Sequence, residues 1–221
     1  MLFFNFMARV VFYIFKYFFN YFYFLNFMNK NKEEIDYLIL INKQNPLPSD
    51  WESKVQIVHM TNSLGVDVPV EAKTYQAYLK LKNALELEGI YIDLDSAQRT
   101  VAYQKKIMNE FIQKYGPDYA KNYVATPGYS EHHTGLALDL YLKVDGVDVV
   151  ENEDLMKHIE IWAKIHEKIS DYGFILRFPE GKKHITGYSY EPWHIRYIDD
   201  VELAKDIMKK GITFEEYKEK N

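Results

Sequence analysis

The chain has 221 residues, no cysteine and a formal net charge of −5. The lack of cysteine excludes disulfides, thiolate zinc sites, iron–sulfur clusters and a thiol nucleophile. A hydrophobic share of 48% excludes intrinsic disorder, and the acidic balance without a basic run argues against nucleic acid as a partner.

The aromatic share of 16% averages two unlike segments. Residues 1–28 hold 10 of the 14 Phe and 4 of the 19 Tyr. As a helix they would reach about 42 Å, enough to cross a bilayer. Arg9 and Lys16 interrupt them, and the longest uncharged run, Tyr17–Asn29, has 13 residues. No small-residue cleavage site follows. Three readings stand: a membrane anchor, a start assigned too early with Met28 as the true one, or a packed part of the domain. Residues 29–221 form the expected domain, long enough for one buried core.

In that domain Leu38–Ile41 is a short apolar run, and Asn42–Asp50 is a loop with Pro46 and Pro48. Glu71–Glu88 reads as an amphipathic helix stopped by Gly89. Ile90, Ile92 and Leu94 alternate as a half-buried strand. Thr100–Tyr115 is a second helix, with Ile107, Met108, Phe111 and Ile112 expected inward. Asp118–Val124 adds a short helix. Leu136–Leu142 alternates strictly, with Ala137, Asp139 and Tyr141 on the face opposite the leucines. Glu153–Tyr172 reads as a third long helix, with Trp162 in the core. Phe174–Phe178 and Trp193–Tyr197 are strands, and Val201–Lys209 is a closing helix. Without regular βαβ alternation, these elements predict an α+β fold: one domain, with a small, mainly antiparallel sheet packed with helices.

Two segments carry the chemistry. In the first, Ser130-Glu131-His132-His133-Thr134-Gly135, His132 precedes a strand whose polar face bears Asp139. In the second, Glu191-Pro192-Trp193-His194 supplies another imidazole and another carboxylate as it enters the last strand. Two His and one Asp make three ligands for zinc or a similar ion and leave a fourth position open, as catalytic sites do. Glu191 is then free to act as a general base. Singly, each residue has a plainer reading: a core or surface histidine, an exposed strand aspartate, a turn-ending glutamate. The helical pattern of two His four apart around a Glu is absent.

Together the two segments resemble the zinc D-alanyl-D-alanine carboxypeptidases of the VanY type, with the related D-Ala-D-Ala dipeptidases and L,D-carboxypeptidases. The family pattern is Ser-x-His, two residues, Gly-x-Ala-x-Asp, then Glu-Pro-Trp-His. It is matched at Ser130, His132, Gly135, Ala137, Asp139, Glu191, Pro192, Trp193 and His194. The upstream family element reads here Ser96-Ala97-Gln98-Arg99-Thr100 with Gln104, where Ala97-Gln98 replaces the usual Gly-Tyr.

The resemblance implies a zinc site on the sheet, with Zn²⁺ held by His132, Asp139 and His194. It implies that Glu191 moves the proton of the attacking water to the leaving amine. It implies that Arg99 stabilises the oxyanion and that Gln104, Tyr129, Ser130 and Trp193 shape the substrate pocket. By the family spacing, His132 is the ligand of the tandem pair, which leaves His133 beside the site or on the surface. His59, His158, His166 and His184 stay structural, and Lys182-Lys183 reads as a solvated turn.

The implied substrate is a peptidoglycan stem peptide that loses a terminal D-alanine. The expected location is the cell envelope, membrane-anchored through residues 1–28, or untethered or cytoplasmic if Met28 is the start. A non-catalytic zinc-containing module that binds the cell wall is the rival reading; intact Glu191 and Arg99 argue against it. The sequence sets no oligomeric state.

Overall fold

Strand alternation builds the sheet that carries the site. The computed structural model describes residues 35–118, 120 and 124–220. Residues 1–28 therefore lie outside the described residues, as does much of the short helix expected at Asp118–Val124. From Asp36 onward the chain forms one compact unit. Among the described residues no helix is long and apolar enough to cross a membrane.

In chain order the elements are α1 (Trp51–Lys54), β1 (Ile57–Thr61), β2 (Asp67–Glu71), α2 (Ala72–Leu87), β3 (Tyr91–Ser96), α3 (Val101–Tyr115), a 3-10 turn (Glu131–Thr134), β4 (Ala137–Val144), β5 (Val147–Val149), α4 (Asn152–Leu155), α5 (Ile159–Ile169), a second 3-10 turn (Ser170–Tyr172), β6 (Phe174–Leu176), α6 (Lys183–Thr186), β7 (His194–Tyr197), α7 (Val201–Lys210) and α8 (Phe214–Lys218). The main sheet has the order β3-β4-β7-β6, with β5 also paired to β4. Its ladders are all antiparallel. β1 and β2 form a separate hairpin. This is the expected α+β architecture.

Leu138, Leu140 and Leu142 enter the main core with Ile92, Leu94 and Ile195. Leu81 and Leu85 of α2 and Trp162, Ile165 and Ile169 of α5 cover them. Each such side chain contributes roughly 1.5–3 kcal/mol through burial. The alternation of β4 holds, but Ala137, Asp139 and Tyr141 are buried as well. A second cluster of Ile175, Ile198, Ala204, Ile207 and Phe214 involves α7 and α8. Both faces of the sheet are thus covered, so the site lies inside the molecule.

Two expectations are corrected. The single helix over Glu153–Tyr172 is broken between Leu155 and Ile159. The Leu155 carbonyl accepts His158 N–H at 3.1 Å and Trp162 Nε1–H at 3.0 Å, in place of the bond from Ile159 N–H that a continuous helix would make. The break lets Leu155 and Trp162 both enter the core. In α3 only Gln104 is buried. Ile112 is exposed, while Ile107 and Phe111 line a cavity instead of filling the core.

Candidate metal centre and active site

Strand register brings the first polar groups together. Asp139 on β4 is paired with His194 on β7 and with Ser96 on β3. The register of β3 shifts between Leu94 and Ser96. Such an irregularity re-aims the side chains that follow it, and here it sets Ser96 opposite Asp139. Arg99 lies just beyond: its Nε–H donates to Ser96 Oγ at 2.8 Å, and its Nη2–H donates to Asp139 Oδ2 at 2.5 Å.

His132 arrives from the 3-10 turn. Gly135 ends that turn at φ +75°, where an L side chain is strained. A Cβ there would also stand 3.1 Å from both the Glu71 nitrogen and Ile57 Cδ1. The glycine therefore allows the turn to lie against the end of β2 while the chain enters β4.

His132 Nε2 is 3.1 Å from Asp139 Oδ2, and His194 Nδ1 is 3.0 Å from Asp139 Oδ1. The imidazole rings meet edge-on at 89°. One ligand atom from each of the three residues lies within 4.8 Å of the others. Separations near 3 Å fit donors that share one ion with bonds of about 2.0–2.2 Å. The other ring nitrogens fit too. His132 Nδ1–H donates to the Ala97 carbonyl at 2.7 Å, leaving Nε2 free of a proton. His194 Nε2 faces Glu131 Oε2 at 3.4 Å. Partners of this kind orient metal-binding imidazoles, so the donor set fits Zn²⁺.

The electrostatics separate these groups. Burial and nearby Arg99 push His132 down to about 4, so its ring is neutral at pH 7. Burial also acts to lower His194, but hydrogen bonds to Asp139 and Glu131 prevail and push it up to about 9. Burial would raise Asp139, yet His132 and Arg99 hold it well below the usual carboxylate range. Glu191 is pushed up to about 7, by burial first and by the Asp139 charge next. Its Oε2 lies 3.8 Å from His194 Nδ1.

These groups open onto a cavity of about 740 Å³. All nine residues singled out in the sequence line it: Arg99, Gln104, Tyr129, Ser130, His132, Asp139, Glu191, Trp193 and His194. Gln104 Nε2–H donates to the Ala125 carbonyl at 2.9 Å, while its buried Oε1 has no partner among the described residues. Trp193 also belongs to the main core, so its ring joins cavity to scaffold.

His133 is buried and turned away from the centre. Its Nδ1–H donates to the Arg99 carbonyl at 2.7 Å, and its Nε2 accepts from Gly128 N–H at 3.0 Å. It therefore ties the Arg99 loop to the segment before Tyr129. Lys182 is no free turn residue; it pairs with Glu216 at 3.1 Å.

The sequence reading missed Glu131, Arg177, Arg196 and Glu215, which form a buried charged cluster behind His194. Two signals were available: Glu131 adjoins His132 inside the first motif, and Arg196 follows His194 by two residues and so lies on the same strand face.

A buried site of two imidazoles and one carboxylate, with a second carboxylate and an arginine beside it, defines a metallohydrolase centre. The family model of VanY, D-alanyl-D-alanine carboxypeptidase, matches residues 67–200. A D-alanyl-D-alanine carboxypeptidase of Enterococcus faecalis is 34% identical over 190 residues, covering 81% of this chain and 65% of the relative. The chain thus spans slightly less than two thirds of that relative. The bifunctional D-Ala-D-Ala dipeptidase and D-Ala-D-Ala carboxypeptidase VanXYC of Enterococcus gallinarum is 35% identical, covering 81% of this chain and 92% of that protein. Among solved structures, a mutant vancomycin-resistance D,D-pentapeptidase VanY in complex with Zn(II) superposes with a TM-score of 0.69. It is 33% identical and covers 83% of this chain and 99% of that one. The chain belongs to the VanY D-alanyl-D-alanine carboxypeptidase family.

Proposed function

We propose that this protein is a zinc-dependent carboxypeptidase that removes the terminal D-alanine from peptidoglycan stem peptides. The observation that carries the reading is the convergence of His132, Asp139, His194, Glu191 and Arg99 on one cavity. His132, Asp139 and His194 would hold the ion. When bound, zinc supplies Lewis acidity that makes water a better nucleophile and polarises the scissile carbonyl.

The protein's own groups do the rest. Glu191, with its affinity for protons raised to the neutral range, takes the proton of the attacking water. It returns that proton to the nitrogen of the departing D-alanine as the C–N bond breaks. Ser96 holds the guanidinium of Arg99 beside the centre, where a fixed cation stabilises the oxyanion that develops. Gln104 Oε1, buried without a partner among the described residues, accepts a substrate N–H. Ile107 and Phe111 of α3 give the cavity an apolar wall.

The substrate places the enzyme at the cell envelope, and residues 1–28 are the segment that would tether it there. The test is digestion of a pentapeptide stem, a tetrapeptide stem and free D-Ala-D-Ala by one zinc-loaded preparation, with products weighed by mass spectrometry. Loss of one alanine from a stem peptide is expected, with the free dipeptide the poorest substrate. No product from any of the three would leave a binding module in place of an enzyme.

A further inference from the structure

The charged cluster behind His194 takes no part in the reaction as drawn above, yet it touches a metal ligand. Glu131 is 5% exposed, Arg177 1%, Arg196 0% and Glu215 7%. Glu131 Oε1 accepts from Arg177 Nε–H at 2.9 Å and from Arg196 Nη1–H at 2.9 Å. Those two donors fill that oxygen and leave Oε2 facing His194 Nε2 at 3.4 Å. Arg177 also donates from Nη1 and Nη2 to Glu215 Oε2 and Oε1, at 2.9 and 2.7 Å. Arg196 likewise donates to the backbone carbonyls of Tyr37, Ile39 and Tyr197. Two carboxylates and two guanidinium groups thus balance in charge, and Asn42 Nδ2–H adds a bond to Glu215 Oε1 at 3.2 Å.

Buried ion clusters seldom stabilise a protein more than apolar packing would. Stability alone therefore does not account for this one. Its geometry accounts for a tautomer. His194 meets a carboxylate at each nitrogen, Glu131 Oε2 at 3.4 Å from Nε2 and Asp139 Oδ1 at 3.0 Å from Nδ1. With the ion held on the Asp139 side, Nδ1 gives up its proton to bind it, and the one N–H that a neutral imidazole keeps is on Nε2, where Glu131 accepts it.

We propose that Glu131, anchored by Arg177 and Arg196, is the positioning residue that keeps His194 in the Nε2–H form, with Nδ1 presented to the metal. The inference rests on the zinc reading of the site. Glu131→Gln is the discriminating change. The two arginines hold the amide oxygen, so the NH₂ group faces His194 Nε2 and demands an acceptor there. That selects the wrong tautomer and places the proton on the ligating nitrogen.

The experiment measures zinc affinity of the full chain by chelator competition, together with the melting temperature of the metal-free protein. Glu131→Gln is expected to weaken zinc binding by about 10–100-fold, the usual cost of losing such a partner. Glu215→Gln disturbs the same cluster without touching His194. It should keep the parental affinity even where it melts lower. Unchanged zinc affinity in Glu131→Gln overturns the proposal, and so do equal losses in the two variants. If Glu131→Gln does not fold, nitrogen NMR of the zinc-loaded parent decides. A protonated Nε2 on His194 supports the assignment, and a metal-bound Nε2 overturns it. A parent that binds no zinc overturns the zinc reading itself, whereas zinc in the parent with no effect of the variant overturns only the role of Glu131.

Discussion

His132 Nε2 lies 3.1 Å from Asp139 Oδ2, while the ring of the adjacent His133 bridges the Arg99 carbonyl and Gly128 N–H. Neighbours in sequence thus serve different parts of the site. His132→Ala is expected to lose zinc by more than the roughly 10–100-fold that removal of a supporting partner costs. His133→Ala should retain zinc. It leaves two backbone groups without their partner and should lower stability by about 1–3 kcal/mol. Metal content after dialysis and a denaturant titration separate the two effects. Retention of zinc by His132→Ala together with its loss from His133→Ala would reverse the assignment.

Glu191 stands at the cavity edge 3.8 Å from His194, with its proton affinity raised by burial. Glu191→Gln preserves size and removes the base. A positioned base contributes about 10²–10⁴-fold, so kcat on a stem peptide should fall by that factor while zinc content stays parental. Single-turnover assays at saturating substrate read this directly. A variant that turns over at the parental rate would remove Glu191 from the mechanism.

Proton competition should govern loading of the metal. With His194 pushed up to about 9, the metal-free ring is protonated at neutral pH and cannot donate a lone pair. His132, pushed down to about 4, is already neutral there. Zinc must therefore displace a proton from His194. Apparent affinity should rise about tenfold per pH unit up to about pH 9 and flatten beyond it. Calorimetry in buffers of different ionisation enthalpy would count the released proton. Affinity that stays constant from about pH 6.5 to 8.5 would contradict this expectation.

The sequence made β4 legible because its leucines alternate over a full strand, and the family motifs lie on that strand and at the entry to β7. The β1–β2 hairpin was not anticipated: Pro69 interrupts the apolar pattern of β2, and proline in a run argues against a strand. It is tolerated because β1–β2 is a two-stranded sheet, opposite His59. At the helix break before Ile159 the Leu155 carbonyl is shared by His158 N–H and an indole seven residues on, a contact that no helical period encodes. The cluster of Glu131, Arg177, Arg196 and Glu215 draws on three elements and the loop after β6, so only the folded register assembles it.

Gly135 joins the turn that holds His132 to the strand that holds Asp139. Its φ of +75° and the 3.1 Å clearance to the Glu71 nitrogen leave no ordinary place for a side chain. The left-handed conformation alone costs a substituted residue roughly 1–2 kcal/mol, and the contact with backbone at β2 adds to it. Gly135→Ala should therefore lower the denaturation midpoint. It should also weaken zinc binding, because relief of the clash displaces the His132 turn relative to Asp139. Gly146 supplies the control. It too has positive φ, +81°, but a Cβ there meets nothing within 4 Å. Gly146→Ala should lose stability through backbone strain alone and keep its zinc affinity. Equal zinc affinity in both variants would show that the close approach at Gly135 does not set the ligand geometry.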